Sequence, residues 1–248
     1  MDHKQEIIRR FEENVKGHKF DKQNYNGACG VEGHWLEEQM GIIKNSYNKP
    51  DLFDYEQKKE SDKISFGDWS ASSYYFKNKN NKMSRTEFIK TFGSPNPKKN
   101  KRYSWSGSVF PKFGINYNYA GQRIIFKADC DLVIQYSYIN DTREDKINFD
   151  AKLKISEPIE IAIWKKSKLE KHVSDKFNKN GFYLLRKNNN NIYTKICFGK
   201  TINFEFFKHG LENRKIILDS GMYVGNNRNY STFRAQKNIW NSLITEEY

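Results

Sequence analysis

Short strand-like apolar runs alternate with amphipathic helical segments along the whole 248-residue chain. Residues 4–15 carry apolar side chains at helical spacing, whereas residues 159–164 form an apolar-rich run of strand length. Ser84 and Glu87 have the spacing of a helix capping box. No internal repeat, long linker or break in composition divides the sequence. The pattern predicts one chain-long α/β or α+β fold, with two lobes around a cleft.

Two pairs of neighbouring strand-like segments are predicted to form hairpins. The segment that ends at Lys59 and residues 63–70 are joined by a short polar link. Residues 182–186 and 192–198 bracket a run of asparagines. Short links of this kind favour antiparallel pairing of the strands that they connect.

The charge of the chain favours an anionic partner. Its 43 basic residues against 30 acidic residues leave a net charge of +13 at neutral pH. Nucleic acid is the first candidate partner, and an acidic membrane surface is the second. Most of the basic residues are lysines, a bias that genome composition can also produce, so charge alone does not decide. Aromatic residues make up 15% of the chain, which argues against disorder.

The cysteines and the apolar runs indicate in which cellular compartment the protein is expected. Cys29, Cys130 and Cys197 are far apart and form no C-x-x-C pair, so neither a zinc site nor a disulfide framework is expected. The apolar runs are too short to span a bilayer, and the N-terminus has no apolar signal core. We therefore expect a soluble protein of the reducing cytoplasm.

Residues 48–59 carry the strongest candidate chemistry, because they contain Asp51, Glu56 and Lys58. Side chains of a β-strand alternate between faces, so Glu56 and Lys58 are expected to point the same way. Carboxylates can hold a divalent cation beside the ammonium group, which suits hydrolysis of a phosphodiester. Lys58 would orient the attacking water or stabilise charge on the phosphate. The alternative is a solvated strand with an incidental charge pair, which the motif alone favours.

The second carboxylate of this candidate site is ambiguous. A continuous strand would place Asp54 on the same face as Glu56 and Lys58. Asp51 reaches that face only if the chain bends near Phe53. We favour Asp51 because it directly follows a proline at an expected turn, and Asp54 remains an alternative metal ligand.

Two polar segments are candidate DNA contacts. A basic run that precedes several aromatic residues can contact phosphates, and it contains Lys98, Lys99, Lys101 and Arg102. A second segment carries arginine and asparagine, which make bidentate bonds to guanine and adenine. Its polar residues are Asn226, Asn227, Arg228, Asn229, Tyr230 and Arg234. Solvated, mobile loops are the alternative interpretation of both segments.

The order of these motifs resembles the start of the MutH-like PD-(D/E)xK endonucleases, in particular the monomeric type II restriction enzymes of the MvaI/BcnI kind. In those proteins a glycine and a helix carrying an acid precede a Pro-Asp turn, and the E-x-K strand follows. The matching residues here are Gly33, Glu37, Pro50, Asp51, Glu56 and Lys58. The rest of the chain follows the family by the order of its elements.

The resemblance implies a restriction-endonuclease-like mixed sheet flanked by helices. It also implies a catalytic lobe at residues 1–160 and a DNA-recognition lobe at residues 161–248, around a DNA-binding cleft. The expected activity is Mg²⁺-dependent cleavage of double-stranded DNA by a monomer that nicks one strand and then the other, leaving a 5′-phosphate. A cognate DNA methyltransferase is the expected partner. A MutH-like repair nickase and a non-catalytic nucleic-acid-binding protein are the alternative functions.

The resemblance also implies roles for single residues. The active site would consist of Glu37, Asp51, Glu56 and Lys58, with Asp51 and Glu56 as metal ligands. The polar segment near the C-terminus would contact bases. Two positions depart from the family pattern: Gln57 replaces a usual apolar residue, and residues 225–234 contain no histidine. The first implies a more polar packing layer, and the second leaves the recognised sequence open.

Overall fold

A computed structural model shows a mixed α+β protein and describes residues 2–24, 30–43 and 47–248. Its α-helices are α1 (His3–Asn14), α2 (Val31–Gln39), α3 (Arg85–Phe92), α4 (Lys166–Phe177), α5 (Phe204–Glu212) and α6 (Lys237–Asn241). Its strands are β1 (Glu56–Lys59), β2 (Lys63–Asp68), β3 (Ser73–Tyr74), β4 (Ser94–Asn96), β5 (Arg102–Trp105), β6 (Ala120–Phe126), β7 (Leu132–Asp141), β8 (Ile159–Trp164), β9 (Phe182–Lys187), β10 (Tyr193–Gly199), β11 (Ile216–Ser220), β12 (Met222–Tyr223), β13 (Ser231–Gln236) and β14 (Ile244–Glu247). The expected fold class is confirmed.

The chain forms two compact units, each drawn from separate segments. The first comprises Met1–Ile64, Lys171–Phe206 and Gln236–Tyr248, and the second comprises Ser65–Glu170 and Phe207–Ala235. The lobe boundary that we expected at residue 160 differs from these limits. The physical reason is that β9, β10 and β14, from late in the chain, complete the sheet that β1 begins.

The first unit is built on a mixed sheet with the order β1-β9-β10-β14. β1 runs parallel to β9, so that Glu56 lies opposite Phe182 and Lys58 opposite Leu184. β10 is antiparallel to both β9 and β14. This register places Glu56, Lys58 and their two partners on one face of the sheet, because side chains alternate along each strand.

Helices cover both faces of this sheet. α1 and α2 pack on one face through a core that includes Phe11 and Leu36 against Tyr183. On the other face, Trp240 of α6 meets the ring of Phe182 edge-on, with centroids 4.9 Å apart. Burial of these aromatic and aliphatic side chains fixes the sheet that carries Glu56 and Lys58.

One of the two predicted hairpins is confirmed and the other is wrong. β9 and β10 pair antiparallel around the asparagine run. β1 and β2 do not pair with each other, because β1 joins β9 in parallel while β2 joins the sheet β11-β13-β2. The short link after β1 therefore connects strands of two different sheets.

The second unit contains the antiparallel sheet β3-β8-β7-β6 and the small sheet β12-β5-β4. Aromatic side chains form much of its core, with Phe88 of α3 edge-on to Trp105 at 4.9 Å between centroids. The predicted capping box at the start of α3 is confirmed, because Ser84 Oγ accepts from the Glu87 amide and Glu87 Oε2 accepts from the Ser84 amide.

Two further observations concern the membrane and the cysteines. In the part of the chain that the structure describes, no helix has the length and apolar content needed to cross a membrane. Cys130 and Cys197 are free thiols. Cys29 lies outside the described residues.

Candidate active site

The turn before β1 brings Asp51 back beside the strand. Phe53 and Asp54 both have left-handed backbone angles, with φ of 49° and 65°. Leu52 and Tyr55 exchange backbone hydrogen bonds of 3.1 and 2.9 Å across this turn. The chain therefore bends at Phe53, and Asp51 Oδ2 accepts a hydrogen bond of 2.9 Å from the amide of Gln57.

β1 holds its acid and its lysine together inside the protein. Glu56 is 2% exposed and Lys58 is 8% exposed. Lys58 Nζ donates to Glu56 Oε1 at 2.7 Å and lies over the rings of Phe177 and Trp240, at 5.4 and 5.8 Å from their centroids. An ammonium group between a carboxylate and two aromatic faces has little rotational freedom, so its position is well defined.

Gln57 points to the opposite face of the sheet. Its side-chain oxygen accepts a hydrogen bond of 2.8 Å from the hydroxyl of buried Tyr183. A buried hydroxyl needs such a partner. The polar residue at this position therefore accepts the hydrogen bond of a tyrosine buried on the neighbouring strand β9.

Sequence reasoning missed a second lysine at this site. Lys176 Nζ lies 2.8 Å from Glu56 Oε1, the oxygen that Lys58 also contacts. Lys176 belongs to the last turn of α4, where it follows buried Leu169 and Val173 at helical spacing. A lysine on the apolar stripe of an amphipathic helix was the available signal, since such positions normally face the core.

The charges of the cluster perturb one another. Burial, and then the nearby Glu56 carboxylate, raise the pKa of Asp51 to about 7. Burial also lowers the pKa of Lys58, although Glu56 opposes that shift. Burial lowers the pKa of Lys176 as well, but the Glu56 and Asp51 carboxylates outweigh burial, so the pKa of Lys176 is raised overall. Such mutual perturbation is typical of functional sites.

Glu37 influences this cluster electrostatically, whereas Asp54 lies outside it. Glu37, on α2, lies 3.2 Å from His34 Nδ1, and its carboxylate also helps to raise the pKa of Lys176. Asp54 is half exposed and pairs with Lys179 at 2.7 Å. The left-handed turn thus directs Asp51 towards Glu56 and leaves Asp54 in an ion pair at the surface.

The donor set suits a hard divalent cation. Glu56 Oε2 is buried and has no hydrogen-bond partner in the described structure. Within residues 2–24, 30–43 and 47–248, no group of three or more His, Cys, Asp or Glu side chains could hold a metal. Mg²⁺ commonly takes one or two carboxylates and completes its shell with water and substrate phosphate. Asp51 and Glu56 fit that pattern.

The predicted phosphate contacts lie in the second unit. Lys98, Lys99 and Lys101 are exposed. Arg102 is half-buried in β5, with its guanidinium 3.5 Å from the centroid of the Tyr223 ring. The three lysines are therefore available to solvent, whereas Arg102 is engaged with the protein.

The predicted base-contacting segment divides in the same way. Asn227, Arg228 and Tyr230 are exposed, whereas the side chains of Asn226 and Asn229 both accept hydrogen bonds from a residue of α3. Arg228 also lies 3.1 Å from an Asp68 carboxylate oxygen.

Arg234 lies within β13, where its Nε is 3.8 Å from an Asp219 carboxylate oxygen. It is half-buried, and the neighbouring residues of β13, Phe233 and Ala235, are buried. The backbone of Arg234 therefore belongs to a strand, whereas the backbone of Arg228 belongs to the loop before that strand.

Comparison with known proteins identifies the family. A family model for the LlaMI restriction endonuclease matches residues 15–248. The type II restriction enzyme ScrFI of Lactococcus lactis subsp. cremoris is 38% identical over 265 aligned positions, which cover 98% of this chain and 97% of that protein. The restriction endonuclease MvaI in complex with its cognate DNA substrate has a similar fold, with a TM-score of 0.62 at 14% identity and coverage of 99% and 95% of the two chains.

These matches confirm the resemblance that the motifs indicated, together with the restriction-endonuclease-like fold. The family match spans both compact units, so it applies to the chain as a whole. The chain therefore belongs to the LlaMI restriction endonuclease family and is a type II restriction endonuclease, a site-specific deoxyribonuclease.

Proposed function

We propose that Asp51, Glu56 and Lys58 form the active site and that Asp51 and Glu56 hold Mg²⁺. The observation that carries this proposal is the buried Oε2 of Glu56, which has no hydrogen-bond partner among the described residues, while Oε1 contacts two ammonium groups. A buried carboxylate oxygen without a donor is costly unless a cation lies beside it. Type II restriction endonucleases generally use a divalent metal ion, and Mg²⁺ is the one that best fits two carboxylates with several waters.

Hydrolysis joins a water oxygen to phosphorus and breaks the bond between phosphorus and the 3′ oxygen, so that the products are a 5′-phosphate and a 3′-hydroxyl. When bound, Mg²⁺ supplies Lewis-acid polarisation and lowers the pKa of its water. Lys58 orients the attacking water or stabilises charge on the phosphate. Lys176 adds a second positive charge beside Glu56, and Glu37 acts on the site through Lys176.

The second unit supplies the proposed DNA contacts. The exposed Lys98, Lys99 and Lys101 suit phosphates, which give affinity without sequence information. The guanidinium groups of Arg228 and Arg234 suit the acceptor pair of a guanine edge. In this proposal the first unit cuts the DNA and the second recognises it.

We further propose that the protein acts in the cytoplasm on double-stranded DNA, as a monomer that nicks one strand and then reorients for the other. Asp51, Glu56 and Lys58 come from one short segment, so one chain carries one such cluster among its described residues. A single cluster suits cleavage of one strand at a time. A cognate DNA methyltransferase would protect the host's own sites.

Plasmid cleavage in Mg²⁺ and in EDTA tests this function. We expect open circles first and then discrete linear fragments in Mg²⁺, no cleavage in EDTA, and an initial rate proportional to protein concentration. Open circles alone would support a MutH-like nickase instead. A gel shift without cleavage would support a non-catalytic binding protein. Asp51→Ala, verified as folded by circular dichroism, serves as the inactive control.

A further inference from the structure

Residues 224–230, here termed the recognition loop, connect β12 to β13 and are gathered around Arg85. Arg85 Nη2 donates to Asn226 Oδ1 and to the carbonyl of Arg228, both at 2.8 Å. Its Nε donates to Asn229 Oδ1 at 2.7 Å. Its Nη1 donates to the carbonyl of Asn226 and, at 3.4 Å, to that of Tyr223. One guanidinium group thus binds four residues of the loop and its entry.

Both ends of this contact are fixed. Arg85 is the first residue of α3, directly after the Ser84 cap that fixes the helix start. On the loop side, Gly225 has a φ of 103°, a value that favours glycine, within a turn closed by the Asn226 amide and the Tyr223 carbonyl at 3.2 Å. Arg85 therefore joins a rigid helix terminus to a defined turn.

The contacts sort the polar side chains of the loop into two groups. Asn226 Oδ1 accepts from Arg85 and from the Tyr223 amide, and its Nδ2 donates to Gly221. Asn229 Oδ1 is likewise engaged by Arg85. Asn227, Arg228 and Tyr230 are exposed, with the Arg228 guanidinium 4.9 Å from the centroid of the Tyr230 ring.

We propose that Arg85 is a positioning residue for sequence recognition. It fixes the recognition loop so that Asn227, Arg228 and Tyr230 face the DNA, while Asn226 and Asn229 serve as its anchors and do not contact bases. This inference rests on the proposed DNA recognition by the second unit. It assigns a specificity role to a residue of α3 that acts through its contacts with the loop.

The chemistry of arginine suits this task. A planar guanidinium presents five donors in a fixed geometry, whereas a lysine ammonium offers three and cannot span the same acceptors. A loop that is already ordered in the free protein loses less conformational entropy when it binds its DNA sequence. Without Arg85 the loop would sample many arrangements, and cognate and altered sites would bind more nearly alike.

The test compares Arg85→Gln and Arg85→Lys with the wild type, and uses Lys90→Gln as the control. Lys90 is exposed on the same helix, and its substitution removes the same charge. Fragment-end sequencing first defines the cleaved sequence. The readouts are the ratio of kcat/KM on cognate duplexes to that on duplexes with one base pair altered, and hydrogen exchange of residues 222–231 without DNA.

For Arg85→Gln we expect the ratio to fall about tenfold or more, which is the discrimination of roughly one base contact, and exchange in residues 222–231 to rise. Arg85→Lys should lie between Arg85→Gln and the wild type, and Lys90→Gln should match the wild type. Asn226→Ala tests the same contacts from the loop side and replaces Arg85→Gln if that variant does not fold.

Two outcomes are distinct. If the wild type cleaves and Arg85→Gln keeps both the wild-type ratio and the wild-type exchange, the inference about Arg85 is overturned while the proposed function stands. A wild type that cleaves no duplex DNA overturns the proposed function, and the role of the recognition loop with it.

Discussion

Lys176 Nζ lies 2.8 Å from Glu56 Oε1, on the carboxylate oxygen that Lys58 already contacts at 2.7 Å. Both ammonium groups lie at one oxygen, and within the described part of the chain the other oxygen of Glu56 has no hydrogen-bond partner. Glu56 thus has one oxygen paired with both ammonium groups and a second, buried oxygen to which the described residues donate no hydrogen bond.

Lys176→Met should lower kcat by about 10- to 100-fold, a barrier increase of ~1.4–2.7 kcal/mol, because the transition state loses a nearby positive charge. The metal concentration for half-maximal rate should fall, since a competing cation is removed. Single-turnover cleavage over a Mg²⁺ titration measures both. Lys179→Met is the matched control, because Lys179 pairs with Asp54 at the surface. An unchanged kcat for Lys176→Met would contradict the assigned role.

Asp51→Asn should reduce cleavage by several orders of magnitude, whereas Asp54→Asn should cleave close to the wild-type rate. The reason is the left-handed turn at Phe53, which directs Asp51 towards β1 and leaves Asp54 half exposed. Initial rates on the same plasmid compare the two variants. Equal losses in both would show that Asp54 also takes part in the site.

Lys58→Ala should also lose several orders of magnitude in rate, while duplex DNA binding in the absence of metal persists. Removing the ammonium group takes away the proposed water-orienting or charge-stabilising group but leaves the basic surface of the second unit intact. Gel shifts in EDTA, beside cleavage in Mg²⁺, separate the two effects. Full-rate cleavage by this variant would mean that the active site is elsewhere.

Glu32→Gln should destabilise the protein by about 1–2 kcal/mol at neutral pH, because a charged acceptor of several hydrogen bonds is lost. Glu32 accepts from Lys59 at 2.6 Å, from Tyr193 at 2.9 Å and from Lys187. Burial opposes the shift, but these partners lower the pKa of Glu32 from its ordinary 4.5. The stabilisation is therefore present above about pH 4.5 and disappears as the pH falls through the lowered pKa.

Thermal unfolding of wild type and Glu32→Gln from pH 3 to pH 8 measures this effect. The difference in Tm should be largest near neutral pH and should shrink towards pH 3. A difference that is constant across the range would show that the Glu32 charge does not contribute. Glu38→Gln, on the same helix, is the control.

Local chemistry made part of the site predictable. Strand alternation predicts that Glu56 and Lys58 share a face, and both are buried in direct contact. The bend that selects Asp51 depends on left-handed angles at Phe53 and Asp54. Neither residue is a glycine, and of the two only Asp54 is of a type enriched in this conformation, so residue preference gives a weak signal for the bend.

Contacts between distant segments were not predictable in the same way. Lys176 reaches Glu56 only because β1 pairs with β9 and so brings the end of α4 to the strand. The same parallel pairing made the hairpin of β1 and β2 a wrong prediction. Asparagines that suited base contacts by composition are engaged by Arg85, which precedes them by more than a hundred residues.

The parallel pairing of β1 with β9 also determines when, during synthesis, the proposed active site can form. A nascent chain that has been synthesised only as far as β1 contains Glu56 and Lys58 but lacks β9, Lys176 and the strand β14 at the edge of the sheet. Such distant pairing must wait until the intervening chain exists. Glu56 and Lys58 are therefore synthesised early, and a truncated product that ends before β9 carries the motif without the strand that pairs with β1.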